Sequence, residues 1–156
     1  MQIESEVEVS RPRSDVFDYI AHAEYLPKYV TDFETVTQVS DGEPGVGTRY
    51  SYKMGRGAQG TFEWTRFEPA SQLAWHGPAV KAGLGSMEPA GWWELSETAE
   101  GTNVKLVMAP KPGGVFKLLA PLMAAGMRRG NAQALERLKR QLEAAPSGTE
   151  PPAPVS

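Results

Sequence analysis

The chain of 156 residues contains no cysteine. This absence excludes disulfides, thiolate zinc sites, iron–sulfur clusters and a cysteine nucleophile, and it fits a reducing compartment. Histidine is scarce as well, since only His22 and His76 occur and they lie far apart in the chain. They show neither H-x-H nor H-E-x-x-H spacing, so the sequence predicts no metal site.

The chain also lacks an excess of positive charge and a long apolar run. Its formal net charge is -3 at pH 7, so it has no overall basic field with which to bind a phosphate backbone. The opening segment MQIESEVEVS is acidic and fits neither a signal peptide nor a membrane span. We therefore expect a cytoplasmic protein without a nucleic-acid partner and without an integral membrane segment.

Motifs for cofactor binding and for a serine nucleophile are absent. The glycine-rich stretches GEPGVG and GRGAQG are followed neither by a helix nor by a Lys-Ser/Thr pair, which favours hairpin turns over phosphate cradles. No Gly-x-Ser-x-Gly elbow occurs. The sequence therefore predicts a protein without a cofactor.

What is present is the composition of one globular domain. Hydrophobic residues make up 40% of the chain and charged residues of both signs make up 22%, which is enough to bury one core. The closing segment PSGTEPPAPVS is rich in proline and has no apolar periodicity. We predict a ligand-binding domain over residues 1–145 and a disordered tail over 146–156.

The periodicity of the apolar residues predicts an α+β fold. Residues 2–9 alternate as a strand does, and Pro12 and Pro27 mark the starts of two short helices. Six short alternating runs with turn signals between them follow, which indicates an antiparallel meander. A final helix shows one apolar stripe and contains Pro121, which should kink or divide it. The stripe consists of Phe116, Leu119, Met123, Met127, Ala134, Leu138 and Leu142.

The same segments resemble a known family. The pieces VEVSRPRSDVFDYI, GVGTRY, FEP before QLAW, W-E-L before EGTNVKL, and ALERLKRQLE occur in the order typical of polyketide cyclase/dehydrase and lipid transport proteins, also called START-like or SRPBCC, up to about Ala145. The resemblance implies a helix-grip fold, in which a curved antiparallel sheet of about six or seven strands wraps around a long C-terminal helix. It also implies a hydrophobic cavity, which binds lipids, isoprenoid quinones, hormones or polyketides in different members and supports cyclisation or dehydration in some.

Strand parity assigns the two adjacent tryptophans to opposite faces. The next strand presents Leu106 and Met108 on its apolar side, so an antiparallel neighbour should match them with Trp93. Trp93 then packs in the core or lines the cavity. Trp92 should lie on the outer face with Glu94, either half-exposed or at an interface.

Parity also predicts the remaining wall of the cavity. Leu73 and Trp75 also form an inward pair in QLAWH. With two methionines of the final helix, the predicted ligand-binding residues are Tyr50, Tyr52, Phe62, Trp64, Arg66, Trp93, Leu106, Met108, Met123 and Met127. Arg66 either meets an anionic or carbonyl group of the ligand or extends to solvent and pairs with Glu68. If the protein is an enzyme, Arg66 would donate to a developing enolate, and Tyr50 or Tyr52 would act as a weak acid.

Three functional hypotheses follow. The first is binding of a hydrophobic small molecule, such as a lipid, an isoprenoid or a polyketide-like metabolite. The second is a metal-free and cofactor-independent cyclase or dehydratase, a lyase or isomerase of natural-product biosynthesis. Against aromatic-ring cyclisation, the resemblance departs from the aromatase/cyclase pattern at Phe33 and Met108, where those members carry a tyrosine and a polar residue. The third is a protein-interaction role, which only Trp92 supports.

Overall fold

A curled antiparallel sheet of seven strands forms the body of the protein, whose computed structural model describes residues 1–144. Its strands are β1 (Ile3–Val9), β2 (Phe33–Gln38), β3 (Arg49–Met54), β4 (Gln59–Glu68), β5 (Gln72–His76), β8 (Ala90–Thr98) and β9 (Gly101–Met108). A smaller sheet contains β6 (Val80–Ala82), β7 (Gly85–Glu88) and β10 (Lys111–Gly114). The helices are α1 (Arg13–Ala21), α2 (Leu26–Tyr29) and α3 (Phe116–Ala144), with a 3-10 turn at Ala23–Tyr25. The predicted tail lies outside the described residues.

The strands of the main sheet follow the order β1-β9-β8-β5-β4-β3-β2. Every pairing is antiparallel, and α1, the 3-10 turn and α2 form the connection from β1 to β2 at the opposite edge. Helix α3 packs along β1 and against α2. The predicted helix-grip fold is confirmed, including the seven strands and the two short helices.

The three-stranded sheet was not predicted from the sequence. Strands β6 and β7 form a hairpin, and β10 pairs with β7 after the chain has passed through β8 and β9. Its segments GPAVKAGLGSMEP and KPGG are short and rich in glycine and proline, so they resemble loops when read locally. Pairing between distant segments makes them strands. The sheet extends the fold at the end where α3 begins.

The register of β8 and β9 confirms the assignment of the two tryptophans. Trp93 is paired with Leu106 and Leu95 with Val104, and all four side chains are buried on the concave face. Trp93 is 5% exposed. Trp92 is half-buried on the outer face. One core therefore lies between the concave face and the helices.

Helix α3 differs between its two halves. Leu135, Leu138 and Leu142 in the second half are fully buried, whereas Met123 and Met127 in the first half are only half-buried. The helix is not divided at Pro121, although proline there removes one backbone hydrogen bond. The buried stripe also departs from the predicted one, because Ala120 faces inward and Leu119 is exposed. No helix among the described residues is long and apolar enough to cross a membrane.

Hydrogen bonds and an ion pair join the second half of α3 to the connection between β1 and α1. The guanidinium of Arg11 is buried, donates to the Leu142 carbonyl oxygen at 2.5 Å, and pairs with Asp15 at 2.8 Å. The Glu143 carboxylate accepts a hydrogen bond from the Ser10 amide at 2.9 Å. Hydrogen bonds to charged groups are stronger than neutral ones. We call this end of the grip the closed end.

The opposite burial of the two tryptophans generates a prediction. Trp93→Ala removes a buried ring and should lower the free energy of unfolding by about 3–5 kcal/mol. Trp92→Ala should lower it by less than about 1 kcal/mol, because that ring lies on the outer face of the sheet and outside the core. Urea denaturation of both variants measures the difference. Equal losses, or a larger loss for Trp92→Ala, would mean that the register is reversed.

Acid should weaken the closed end. The Ser10 amide, together with the ammonium of Lys139 at 3.2 Å, lowers the pKa of Glu143 below its ordinary value of 4.5. The stabilisation is therefore fully present above pH 4.5 and is lost as the pH falls through the lowered pKa. Glu143→Gln should be less stable than wild type at pH 7, by less than about 1 kcal/mol. Thermal melts from pH 7 to pH 3 should show the two proteins converging; a constant gap would refute the assignment.

Candidate functional site

The concave face of the sheet carries the predicted aromatic wall. Tyr50, Phe62, Trp64, Trp93 and Leu106 are buried in its floor. Tyr52 and Met108 are half-buried near the end of the grip where α3 begins. Met123 and Met127 on the first half of α3 are half-buried as well. We call the end of the domain that contains Tyr52, Met108, Met123 and Met127 the open end of the grip.

Two glycines let aromatic rings lie flat on the sheet at the open end. A Cβ atom at Gly91 would approach Cζ2 of Trp75 to 2.5 Å, and one at Gly60 would approach Oη of Tyr52 to 2.5 Å. Trp75 is paired with Gly91, and Gly91 with Met108, so a ring and a thioether lie side by side. The predicted inward orientation of Trp75 is confirmed, although this ring was not among the predicted ligand-binding residues.

The floor of the site is a cluster of packed rings. Tyr50 stacks on Phe62 with centroids 5.3 Å apart, and Trp64 meets both rings edge-on at 5.6 Å. The Tyr50 hydroxyl donates to the Ala21 carbonyl oxygen at 3.2 Å, and Nε1 of Trp64 donates to the same oxygen at 3.3 Å. The C-terminal end of α1 therefore anchors the floor.

Burial suppresses ionisation of the tyrosines in this region. Desolvation raises the pKa of Tyr50 to about 12, despite the hydrogen bond with Trp64 and the Ala23 backbone that partly opposes it. Burial also raises the pKa of Tyr52. Both groups stay neutral at pH 7 and serve as hydrogen-bond donors or acceptors, not as anions.

Two further tyrosines, which sequence reasoning missed, have their hydroxyl groups buried in the interior. Tyr19 and Tyr29 are fully buried with ring centroids 5.8 Å apart, and neither hydroxyl has a hydrogen-bond partner among the described residues. Burial raises the pKa of Tyr19 to about 12 and that of Tyr29 further. The signal was the tyrosine-rich run DYIAHAEYLPKY, which looks like ordinary helix from its pattern alone. These hydroxyls can bond a polar atom that enters the core.

The predicted inward orientation of Arg66 is wrong. The pairing of β4 with β5 skips Thr65, because Trp64 lies opposite Trp75 and Arg66 lies opposite Ala74. Such a bulge reverses the parity of the residues that follow it. Phe67 takes the inward position and meets Phe17 edge-on at 5.0 Å. Arg66 is exposed on the outer face and therefore does not belong to the predicted cavity wall.

On the outer face, Arg66 borders a shallow depression of about 180 Å³ with Gln72, Ala74, Trp92 and Glu94. Its Nη1 donates to Oε1 of Gln72 at 2.7 Å. The partner predicted for it was Glu68, and Gln72 takes that place. A second depression, of about 490 Å³, lies at the closed end beside residues 10–14 and 97–101. Neither depression lies on the concave face.

The histidines play no part in the concave face. His76 is exposed and hydrogen-bonded to Glu88, and this contact is the main cause of the lowered pKa of the carboxyl group. Nδ1 of His22 lies 2.7 Å from the carbonyl oxygen of Asp18 in α1. Within residues 1–144, no group of three or more histidine, aspartate and glutamate side chains is arranged to hold a metal ion.

Comparisons with known proteins bear on the whole domain. Residues 1–143 match the family model described as polyketide cyclase / dehydrase and lipid transport. No curated protein is similar enough in sequence to match. Among solved structures, a protein of Thermus thermophilus is similar with a TM-score of 0.77 and 20% identity, over 94% of this chain and 100% of that one.

Two structural neighbours are described as aromatase/cyclases. The Zhui aromatase/cyclase of Streptomyces sp. R1128 has a TM-score of 0.72 and 16% identity, over 92% of this chain and 93% of that one. The di-domain StfQ of the steffimycin biosynthetic pathway has a TM-score of 0.69 and 12% identity, over 92% of this chain and 50% of that one. At these identities the likeness concerns the fold alone.

The raised pKa of Tyr50 predicts how the site responds to alkali. A tyrosine whose pKa is raised by folding stabilises the protein below its ordinary pKa of 10.0, and this stabilisation is lost as the pH rises towards 12. Tyr50→Phe should cost about 1 kcal/mol at pH 8 through the lost hydrogen bond to Ala21. Between pH 10 and 12, its stability should fall less steeply than that of wild type. Parallel slopes in denaturant titrations would show that Tyr50 ionises freely.

Proposed function

Because the chain belongs to the polyketide cyclase / dehydrase and lipid transport family, we propose that it binds a hydrophobic small molecule between the concave face and the first half of α3. The ligand would be a lipid, an isoprenoid or a polyketide-like metabolite. The single observation that carries the proposal is the incomplete burial of the open end, where Tyr52, Trp75 and Met108 of the sheet and Met123 and Met127 of α3 are only half-buried.

The packing of α3 supports this location. The helix makes its main contacts with β1 at one edge of the main sheet, with α2, and with β7 and β10 of the small sheet. Its buried leucines all lie in the second half. The first half presents Ala120, Met123, Ala124 and Met127 on its inner side. Small and flexible side chains adapt to ligands of varied shape better than a tightly packed leucine seam does. The first half of α3 is thus suited to move aside for a ligand.

The polar groups of the site suit a mostly apolar ligand with one polar end. Tyr52 at the open end keeps a neutral hydroxyl, and the hydroxyls of Tyr19 and Tyr29 are buried without partners among the described residues. A buried polar group without a partner costs about 1–3 kcal/mol, which a hydrogen bond from a ligand would offset. A carbonyl or hydroxyl oxygen on the ligand would meet this need.

The alternative is catalysis by a cyclase or dehydratase, which the fold likeness to aromatase/cyclases favours. Of the candidate catalytic residues, Arg66 lies on the outer face of the sheet, and the Tyr50 hydroxyl donates its hydrogen bond to the Ala21 carbonyl oxygen. Only Tyr52 is left as an acid, and burial raises its pKa. An efficient general acid has a pKa near the working pH. The geometry therefore supports binding better than turnover.

Two matched tryptophan substitutions, each at an alanine of α3, test the binding site. Ala120→Trp places a ring on the inner side of the helix, and Ala125→Trp places the same ring on the exposed side. We expect saturable binding of a fluorescent fatty acid to wild type and to Ala125→Trp. Ala120→Trp should bind at least about tenfold more weakly, since its ring occupies the ligand's place.

The control is thermal stability, which should stay similar in both variants. Native mass spectrometry of the gently purified protein identifies a co-purified ligand class. Absence of saturable binding, or equal weakening by both substitutions, would contradict the proposal. Conversion of a bound polyketide-like compound by wild type and not by Tyr52→Phe would favour the enzyme.

A further inference from the structure

Five apolar side chains lie exposed around the start of α3. Leu84 is 89% exposed, Leu118 is 82% exposed and Leu122 is 74% exposed, and Val115 and Leu119 complete the group. We call these five residues the apolar patch. Single exposed apolar residues are ordinary on protein surfaces, but contiguous clusters mark interaction sites.

The backbone holds the members of the patch together. Leu84 occupies the tip of the β6–β7 hairpin beside Gly83, whose φ of 60° is in the left-handed region. Its carbonyl oxygen accepts a hydrogen bond from the Val115 amide at 3.2 Å, and the Phe116 ring lies over Gly85. Leu118, Leu119 and Leu122 follow on the next turns of α3. A hairpin tip and a helix start therefore form one protruding apolar surface.

The fold does not need these leucines where they are. A two-residue hairpin turn favours Gly, Asn or Asp, and a leucine at its tip gains nothing from packing at 89% exposure. The opposite side of the same turns of α3 carries Phe116, Ala120 and Met123, which are half-buried. The exposed side of the same turns is as apolar as the buried side. A function outside the folded core explains this arrangement.

The charge around the patch has one dominant sign. The segments that carry it, residues 80–88 and 111–130, contain five cations and one carboxylate, although the whole chain has a net charge of -3. The cations are Lys81, Lys111, Lys117, Arg128 and Arg129. The carboxylate is Glu88, which is hydrogen-bonded to His76. Anionic surfaces are thus attracted to this face and repelled by the rest of the protein.

We infer that the apolar patch docks onto the surface of an anionic lipid bilayer, with its leucines in the interfacial layer and the cations against the headgroups. Apolar side chains surrounded by lysine and arginine are the chemistry that binds such an interface. A twofold contact between two copies would bring the same cations together, which disfavours self-association. Docking places the open end of the grip at the membrane, a consequence that rests on the proposed function.

Vesicle flotation without added ligand tests docking independently of ligand binding. Wild type should float with vesicles of equimolar phosphatidylcholine and phosphatidylglycerol, more weakly with pure phosphatidylcholine, and progressively less as salt rises. The triple variant L84S/L118S/L122S should bind at least about tenfold more weakly. Lys81→Gln with Lys117→Gln should weaken binding to the anionic vesicles only.

Matched controls come from exposed residues outside the patch. V39S/V46S removes two exposed apolar side chains, and R49Q/R56Q removes two exposed cations. Both controls should bind like wild type, and circular dichroism should show all variants folded. Single substitutions L84S and L118S serve if the triple variant is unfolded.

Three results would overturn the inference. The first is that wild type does not bind anionic vesicles at low salt. The second is that the serine variants bind as strongly as wild type. The third is that wild type is a dimer which the serine substitutions dissociate. Fatty-acid binding in solution should be unchanged in the serine variants. Failure of docking with intact fatty-acid binding would leave the proposed function standing, and the reverse result would leave docking standing.

Discussion

The concave face of a seven-stranded sheet has to be covered by helices, and this constraint governs the rest of the structure. Helix α3 meets it at the closed end, where Leu135, Leu138 and Leu142 are buried and Arg11 bonds the Leu142 carbonyl oxygen. At the open end the inner side of the helix carries alanine and methionine. Burial of apolar area drives the packing of such layers. Met123 and Met127 are only half-buried, so the first half of the helix holds the sheet less firmly. The open end is therefore the place where we propose that a ligand binds.

The sequence was sufficient for those parts of the fold that depend on local pattern. Alternation located the seven strands, and parity placed Trp93 inside and Trp92 outside. Alternation gave the wrong face after the bulge at Thr65, because one extra residue in the strand places Arg66 outward and Phe67 inward. Bulges are set by pairing with the neighbouring strand, so the segment TFEWTRFEP alone gives no sign of one. The small sheet was missed for the same reason, because β10 and β7 become strands only through each other.

The strand residues that form the wall of the site could be predicted from the sequence, whereas the helix residues could not. The rings of the floor follow from strand parity, whereas Tyr19 and Tyr29 lie on short helices whose direction depends on how α1 and α2 pack against the sheet. The exposure of Leu119 in place of Ala120 has a similar origin, since a stripe with apolar residues on both sides fits two rotations of the helix. That ambiguity is itself informative. A helix start that is apolar on both sides fits the two roles that we propose, with a ligand on its inner side and a surface on its outer side.

The central claim is our proposal that a ligand binds between the concave face and the first half of α3. Methyl NMR of protein labelled at methionine and alanine, titrated with a fatty acid, tests it most directly. The account predicts saturable shifts of the Met108, Met123 and Met127 methyl groups, with the Ala74 methyl on the outer face unchanged. Shifts that do not saturate, or saturable shifts confined to Ala74 and the outer depression, would contradict it.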